Sequence, residues 1–167
     1  MKKTITKIGM AMLIGITAIV FNGCKGKDGA PGAQGPAGIA NISTTTATTT
    51  NASWTFLSAY NEWDATLNYS AITSDIVATG TVQVYLGDGS STVWAALPNS
   101  YHNFEWGYQY SLGQVTIFVT KGDGTDPGNP GGMQFKFVAI PSRSMMLHPN
   151  VNMKNYNEVK QTFNLHD

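Results

Sequence analysis

The fold of this 167-residue chain is constrained most by short stretches in which apolar and polar residues alternate. Each of these stretches ends at a turn signal. Residues 81–86 are the clearest case, with valine or leucine at every second position from Val82 onward. Side chains two positions apart in a β-strand lie on the same face, so this pattern predicts a strand with one buried face. The Gly-Asp-Gly-Ser run at residues 87–90 then predicts a hairpin into a second strand over residues 92–97.

The same pattern recurs through most of the chain after residue 39. It predicts further strands over residues 40–47, 64–72, 104–112, 114–120 and 133–140. Residues 121–132 are rich in Gly, Pro and Asp and are predicted to form a long loop. About seven short strands separated by turn signals are typical of an all-β domain, and we expect an antiparallel β-sandwich or an open barrel.

Two helical segments are expected beside the strands. Thr73-Ser74-Asp75 predicts one helical turn that ends at Gly80. Near the C-terminus, Asn155 precedes Glu158 by three residues, a spacing typical of a helix start. The apolar face of the short C-terminal helix that follows is expected to cover the sheet, and it consists of Tyr156, Val159 and Phe163.

The N-terminal residues have the composition of an export signal. Three lysines precede an apolar run over residues 8–21, which is shorter than the roughly 20 residues that span a bilayer. Cys24, the only cysteine, follows Gly23 directly, and this arrangement resembles the lipobox of bacterial lipoproteins. The resemblance implies a signal peptide over residues 1–23 and a mature N-terminal Cys24 that carries acyl chains. The alternative is a free cysteine beside an ordinary cleavage site.

Glycine recurs at every third position from Gly26 to Gly38. This spacing, with proline between the glycines, is the collagen signature, because only glycine fits at the axis of a triple helix. Four triplets give few interchain hydrogen bonds, so we expect a monomer with an extended spacer rather than a trimeric stalk. Residues 24–38 are therefore assigned to the acylated cysteine and its spacer, and residues 39–167 to the β-sandwich domain.

The charge balance argues against one class of partner. Cleavage before Cys24 leaves 7 basic and 10 acidic residues, a net charge of 7 − 10 = −3. A mildly acidic chain without a basic cluster argues against nucleic acid as a partner. The expected partner is instead a membrane, held through the lipid anchor, because each buried methylene of an acyl chain contributes about 0.8 kcal/mol.

Several segments together resemble one family. Residues 72–85, residues 94–98 (Trp-Ala-Ala-Leu-Pro) and the tail segments 135–141, 155–160 and 163–165 are similar to those of small collagen-like lipoproteins from Bacteroidetes. The resemblance implies a compact β domain behind a lipid anchor and brings no known activity. Lys25 stands where an aspartate retains lipoproteins at the inner membrane of enteric bacteria. By this analogy we expect an outer-membrane location, on its periplasmic face or at the cell surface.

The sequence contains no recognisable catalytic motif. His102, His148 and His166 lack the spacing of a metal-binding motif. Glu62 and Asp64 would share a strand face as glycosidase carboxylates might, but two solvated acids are the simpler interpretation. Oxygen ligands for calcium are available in the long loop, with turn formation as the alternative, at Asp123, Asp126 and Asn129. We therefore expect a protein that is not an enzyme and needs no cofactor.

Aromatic residues give the remaining functional signal. Trp63 and Trp94 are candidates for a glycan-binding platform, because exposed flat rings stack on sugars. Trp106, Tyr108 and Tyr110 share one strand face, a pattern more typical of a core than of a binding surface. Two functions remain as expectations: a lipid-anchored cell-envelope protein with a non-catalytic interaction or structural domain, or a carbohydrate-binding surface lipoprotein. Neither identifies the protein or glycan partner.

Overall fold

Two antiparallel sheets make up the computed structural model, which describes residues 42–90 and 92–166. The nine strands of this part of the chain are β1 (Ser43–Thr48), β2 (Thr55–Leu57), β3 (Glu62–Asn68), β4 (Thr81–Gly87), β5 (Trp94–Ala96), β6 (Asn99–Tyr101), β7 (Phe104–Ser111), β8 (Gln114–Lys121) and β9 (Gln134–Ile140). The four-stranded sheet has the order β1-β9-β4-β5, and the five-stranded sheet has the order β2-β3-β8-β7-β6. The predicted all-β sandwich is confirmed.

The main core lies between the two sheets. The four-stranded sheet contributes Val82, Val84, Phe135 and Phe137, and the five-stranded sheet contributes Ala65, Val115, Ile117 and Val119. Each of these side chains is at most 1% exposed, and full burial of a large apolar side chain stabilises a fold by about 1.5–3 kcal/mol. The alternating pattern of β4 and β8 therefore reflects one face turned toward this core.

In the described part of the chain, the sheets are accompanied by a 3-10 turn (Asn51–Ser53) and by three short α-helices: α1 (Ser74–Thr79), α2 (Ser142–Leu147) and α3 (Tyr156–Thr162). α1 begins after Thr73, whose hydroxyl accepts a hydrogen bond from the Ile76 amide, and ends at Gly80, as predicted. The Asn155 side chain caps α3 by accepting from the Asn157 and Glu158 amides. The predicted apolar face of α3 covers the outer face of the four-stranded sheet, where a second core contains Tyr85, Val138, Ile140, Tyr156, Val159 and Phe163.

Some elements differ from the sequence-based expectation. The strand predicted over residues 64–72 ends at Asn68, because the Tyr69 amide donates to the Gly113 carbonyl and the Ile72 amide donates back to Tyr69, which turns the chain. The pattern also missed β2, β6 and α2. These segments are three to six residues long, and so short a segment carries little periodic signal.

The sandwich has two distinct ends. At the proximal end, where the described chain begins at Ile42, the Tyr69 hydroxyl donates to the Ser43 carbonyl oxygen at 2.6 Å. This bond joins the end of β3 to the start of β1. The opposite end, here called the loop end, carries the turn after β4 and the loop over residues 121–132. Strands of six to eight residues separate the two ends by roughly 20–26 Å.

The expectations for the signal peptide, Cys24 and the glycine triplets lie outside the described residues. Within the described part, no helix is both long enough and apolar enough to cross a membrane.

Candidate functional site

A cleft of about 700 Å³ opens between the two sheets at the loop end. Its walls come from the ends of several strands and from the long loop, and their chemistry is mainly apolar. This loop-end cleft, defined by the walls described below, is the candidate site.

The first wall belongs to the five-stranded sheet and contains Phe104, Trp106 and Val119. Val119 is 0% exposed, so the cleft reaches the edge of the main core. The Trp106 ring is held edge-on to Trp54 with 6.0 Å between the ring centroids, and its centroid lies 6.2 Å from that of Phe135. These contacts fix the ring, because edge-on aromatic pairs add about 0.5–1.5 kcal/mol beyond the area they bury.

The second wall belongs to the four-stranded sheet, where β4 pairs with the short strand β5. Leu86 and Ala95 are paired across these strands and both line the cleft. Val93, just before β5, stands at the rim with 58% of its surface exposed. An exposed valine next to a buried apolar wall extends the apolar surface out to solvent.

The third wall is the part of the long loop that contains Pro127 and Pro130. Asp126 holds this loop, since its Oδ1 accepts from Trp63 Nε1 at 2.8 Å and from the Gly128 amide at 2.7 Å. The Gly131 carbonyl oxygen accepts from Trp54 Nε1, also at 2.8 Å. The loop is therefore fixed to the sandwich by two indole groups.

The proposed calcium ligands all lie in this loop, and their oxygens serve turns within it. Asp123 Oδ1 accepts from the Thr125 amide and hydroxyl. Asn129 Oδ1 accepts from the Gly131 amide, and its Nδ2 donates to the Asn51 carbonyl oxygen. Among residues 42–90 and 92–166, no group of three or more His, Cys, Asp or Glu side chains is placed to hold a metal ion. The geometry favours turn formation for these residues.

The mouth of the cleft carries its few polar groups. Tyr101 is 70% exposed, and its ring lies against that of His102 with 4.0 Å between centroids. Asp88 is the one carboxylate among the described lining residues, and Lys, Arg and His are absent from that lining. Hydrogen bonds from the Ser90 hydroxyl and amide lower the pKa of Asp88. Asp88 therefore carries a negative charge at the mouth at neutral pH.

The two tryptophans proposed for a glycan platform belong to different layers. Trp63 packs against the main core, stacks on Phe56 at 5.2 Å and donates to Asp126. Trp94 packs in the second core, beneath α3. The structure does not bring these two rings together.

Trp94 forms part of an aromatic cage around a buried lysine. Lys136 is 3% exposed, and its Nζ lies 4.4 Å from the ring centroids of both Trp94 and Tyr156. The same Nζ donates to the Tyr156 hydroxyl at 3.0 Å. Cation–π contacts of a desolvated ammonium are worth about 2 kcal/mol, so Trp94 has a structural role in the attachment of α3.

The stripe of Trp106, Tyr108 and Tyr110 faces the main core, as the sequence predicted. The Tyr108 hydroxyl donates to the Val82 carbonyl oxygen at 2.8 Å and so links the two sheets. Burial, with a smaller contribution from the charge of Tyr110, raises the pKa of Tyr108 to about 12. The phenol is therefore neutral at physiological pH and remains a hydrogen-bond donor.

The acidic and histidine residues considered as catalytic or metal-binding candidates do not form one site. Burial, followed by the neighbouring charge of Asp64, raises the pKa of Glu62, and burial raises the pKa of Asp64. Both lie on β3, away from the cleft lining. His148 contacts Phe163 edge-on at 5.4 Å, the His102 ring is tilted against that of Tyr101, and His166 is exposed near the C-terminus. Among the described residues, these histidines belong to no group placed to hold a metal ion.

Sequence reasoning missed the cleft itself. Its lining residues come from five strands, the turn between β4 and β5, and the long loop before β9. The available signal was indirect: the long Gly/Pro loop leads into Met133, which the sequence predicted as the first residue of the last strand and which the structure places just before that strand.

In comparisons with known proteins, no protein-family model, curated protein or solved structure matches the chain.

Proposed function

We propose that this protein is a lipid-anchored protein of the outer membrane whose β-sandwich is a non-catalytic binding module, with the loop-end cleft as its binding site. The observation that carries the proposal is the cleft: a concave, mainly apolar site of about 700 Å³ with a few polar groups at its mouth. Ligand sites in proteins typically have this size and this distribution of chemistry.

The acyl chains on Cys24 and the spacer over residues 24–38 supply the membrane tether in the proposal. In the described part of the chain, Ile42 lies at the proximal end and the cleft opens at the other end of the strands.

The anchoring part of the proposal is tested by Cys24→Ser. We expect the parent protein to sediment with membranes and to enter a detergent phase, because two or more acyl chains give stable anchoring. The variant should appear in the soluble fraction or remain unprocessed. Processed Cys24→Ser protein that still sediments with membranes would contradict the lipid anchor.

The binding part is tested by filling the cleft. The mature chain (residues 24–167) with Cys24→Ser is incubated with a solvent extract of the cell envelope and analysed by native mass spectrometry. We expect a bound species of defined mass that is lost in Ala95→Phe, because the larger ring occupies the second wall. Ala78→Phe, on the exposed surface of α1, is the matched control and should keep the species. Equal adducts on both variants would contradict the cleft as the site.

The carbohydrate-binding alternative has one favourable observation, the exposed Tyr101 ring at the mouth of the cleft. A flat exposed ring can stack on a sugar. Glycan-array binding that is lost in Tyr101→Ala and retained in Tyr60→Ala would support this alternative. Tyr60 is a suitable control because it is equally exposed and lies outside the cleft lining.

A further inference from the structure

The dimensions of the loop-end cleft suit a small molecule. Sites for such ligands usually enclose about 300–1,000 Å³, and this cleft encloses about 700 Å³. Its inner wall includes Val119, which is fully buried. A ligand that fills the cleft would therefore reach the edge of the hydrophobic core rather than rest on a flat surface.

The walls favour an apolar occupant. Phe104, Trp106, Leu86, Met133 and Pro127 present rings and aliphatic groups to the cleft. Removing apolar surface from water contributes about 25 cal/mol per Å², so a largely apolar ligand gains most from these walls.

The loop wall is already held in place without a ligand. Trp54 and Trp63 donate to the loop through their indole groups, and Thr49 Oγ1 donates to the Gly131 carbonyl oxygen at 2.8 Å. A preformed wall lowers the ordering cost of binding. Binding at this site does not need the loop to fold around its ligand.

The charged groups around the cleft distinguish neutral apolar ligands from anionic ones. Asp88 places a carboxylate at the mouth, and the described lining residues provide no cationic partner. Lys121 lies outside the lining, where its Nζ is 5.5 Å from the Phe104 ring centroid and donates to the Asp126 carbonyl oxygen. Burying an anion without a partner is costly, and a nearby like charge adds to that cost.

From these observations we infer that the loop-end cleft binds an uncharged, largely apolar small molecule and selects against amphiphilic anions such as free fatty acids. This inference rests on the proposed binding function of the same cleft and specifies its ligand class.

Two fluorescent probes of similar ring structure test the inference: N-phenylnaphthylamine, which is neutral, and anilinonaphthalene sulfonate, which is anionic. Each is titrated into the mature chain with Cys24→Ser at low ionic strength. We expect saturable binding of the neutral probe at one site per chain, and at least tenfold weaker binding of the anionic probe. Ala95→Phe should lower the affinity for the neutral probe at least tenfold, whereas Ala78→Phe should leave this affinity within twofold of the parent value.

Asp88→Asn tests the electrostatic part, since the amide keeps one oxygen to accept the Ser90 hydrogen bonds. We expect the ratio of neutral-probe affinity to anionic-probe affinity to fall about threefold in this variant. Asp75→Asn, at the proximal end, is the charge-matched control. Thermal unfolding of each variant shows whether the fold is retained.

Two results would overturn the inference: anionic binding as tight as neutral binding, or neutral binding that survives Ala95→Phe in a folded protein. The neutral probe could fail to bind while Ala95→Phe still abolishes the bound species that native mass spectrometry detects with the envelope extract. In that case the inferred ligand class is wrong and the proposed binding function stands.

Discussion

Glu62 and Asp64 show how two side chains on one strand face affect each other. Both pKa values are raised in the folded protein, and Asp64 Oδ1 is buried without a hydrogen-bond partner among the described residues. A raised carboxyl pKa gives stability that is fully present below the unfolded pKa and is lost as the pH rises through the folded pKa. The pair therefore destabilises the fold at neutral pH.

We predict that Glu62→Gln raises stability at pH 7 and changes it little at pH 3, where both acids are protonated. The expected gain is on the scale of like-charge contacts between neighbouring side chains, about 0.2–1 kcal/mol. Urea unfolding at the two pH values measures it. Glu105→Gln, an exposed glutamate of β7, is the control, and an equal gain in that variant would contradict a specific effect of the pair.

Single residues also show the limit of sequence reasoning. The stripe from Trp106 to Tyr110 was predicted correctly to face the core, because alternation reports which residues share a face. The same pattern does not report what covers that face. Trp63 and Trp94 were therefore plausible as platform residues, although one holds the long loop and the other cages Lys136.

At the scale of elements, the long loop depends on one buried threonine. Thr49 is 1% exposed; its Oγ1 donates to the Gly131 carbonyl oxygen and accepts from the Met133 amide at 2.9 Å. The side chain thus joins the segment after β1 to the end of the loop, just before β9. Because Met133 lines the loop-end cleft, this contact also positions part of the cleft wall.

We predict that Thr49→Val costs roughly 1–3 kcal/mol, since the isosteric side chain leaves the part-buried Met133 amide without its acceptor and removes one of the two donors to the Gly131 carbonyl oxygen. Thermal or urea unfolding measures the loss. Thr46→Val, at an exposed position of β1, should stay within about 0.5 kcal/mol of the parent. A similar loss in both variants would indicate a general effect of the substitution instead of the loop contact.

The longer elements were predictable for a physical reason. β4, β7, β8 and β9 have seven or eight residues each, which gives several alternations bounded by turn residues. β2 and β6 have three residues each and are defined by their partners β3 and β7. Such strands arise from tertiary pairing, which a local pattern does not contain.

At the scale of the whole molecule, the sequence predicted a β-sandwich or an open barrel, but it did not predict the cleft that forms where the ends of the two sheets meet. The cleft combines Leu86, Phe104, Val119 and Pro127. The proximity of these residues follows from the order of the strands in the two sheets. That order depends on long-range pairing, which a local sequence pattern does not contain. The fold class was therefore predictable from the sequence, and the site was not.

The pairing of β1 with β9 determines when the domain can complete its fold. Ser43 lies opposite Ala139 and Thr48 opposite Gln134, so the strand nearest the start of the domain needs one near its end. Non-local pairing of this kind is slow to form. We predict that a mature chain truncated after Gly132 is digested rapidly in limited proteolysis, whereas the complete mature chain resists, and equal resistance would refute this. If Cys24 is acylated as proposed, this slow pairing would place anchoring before folding.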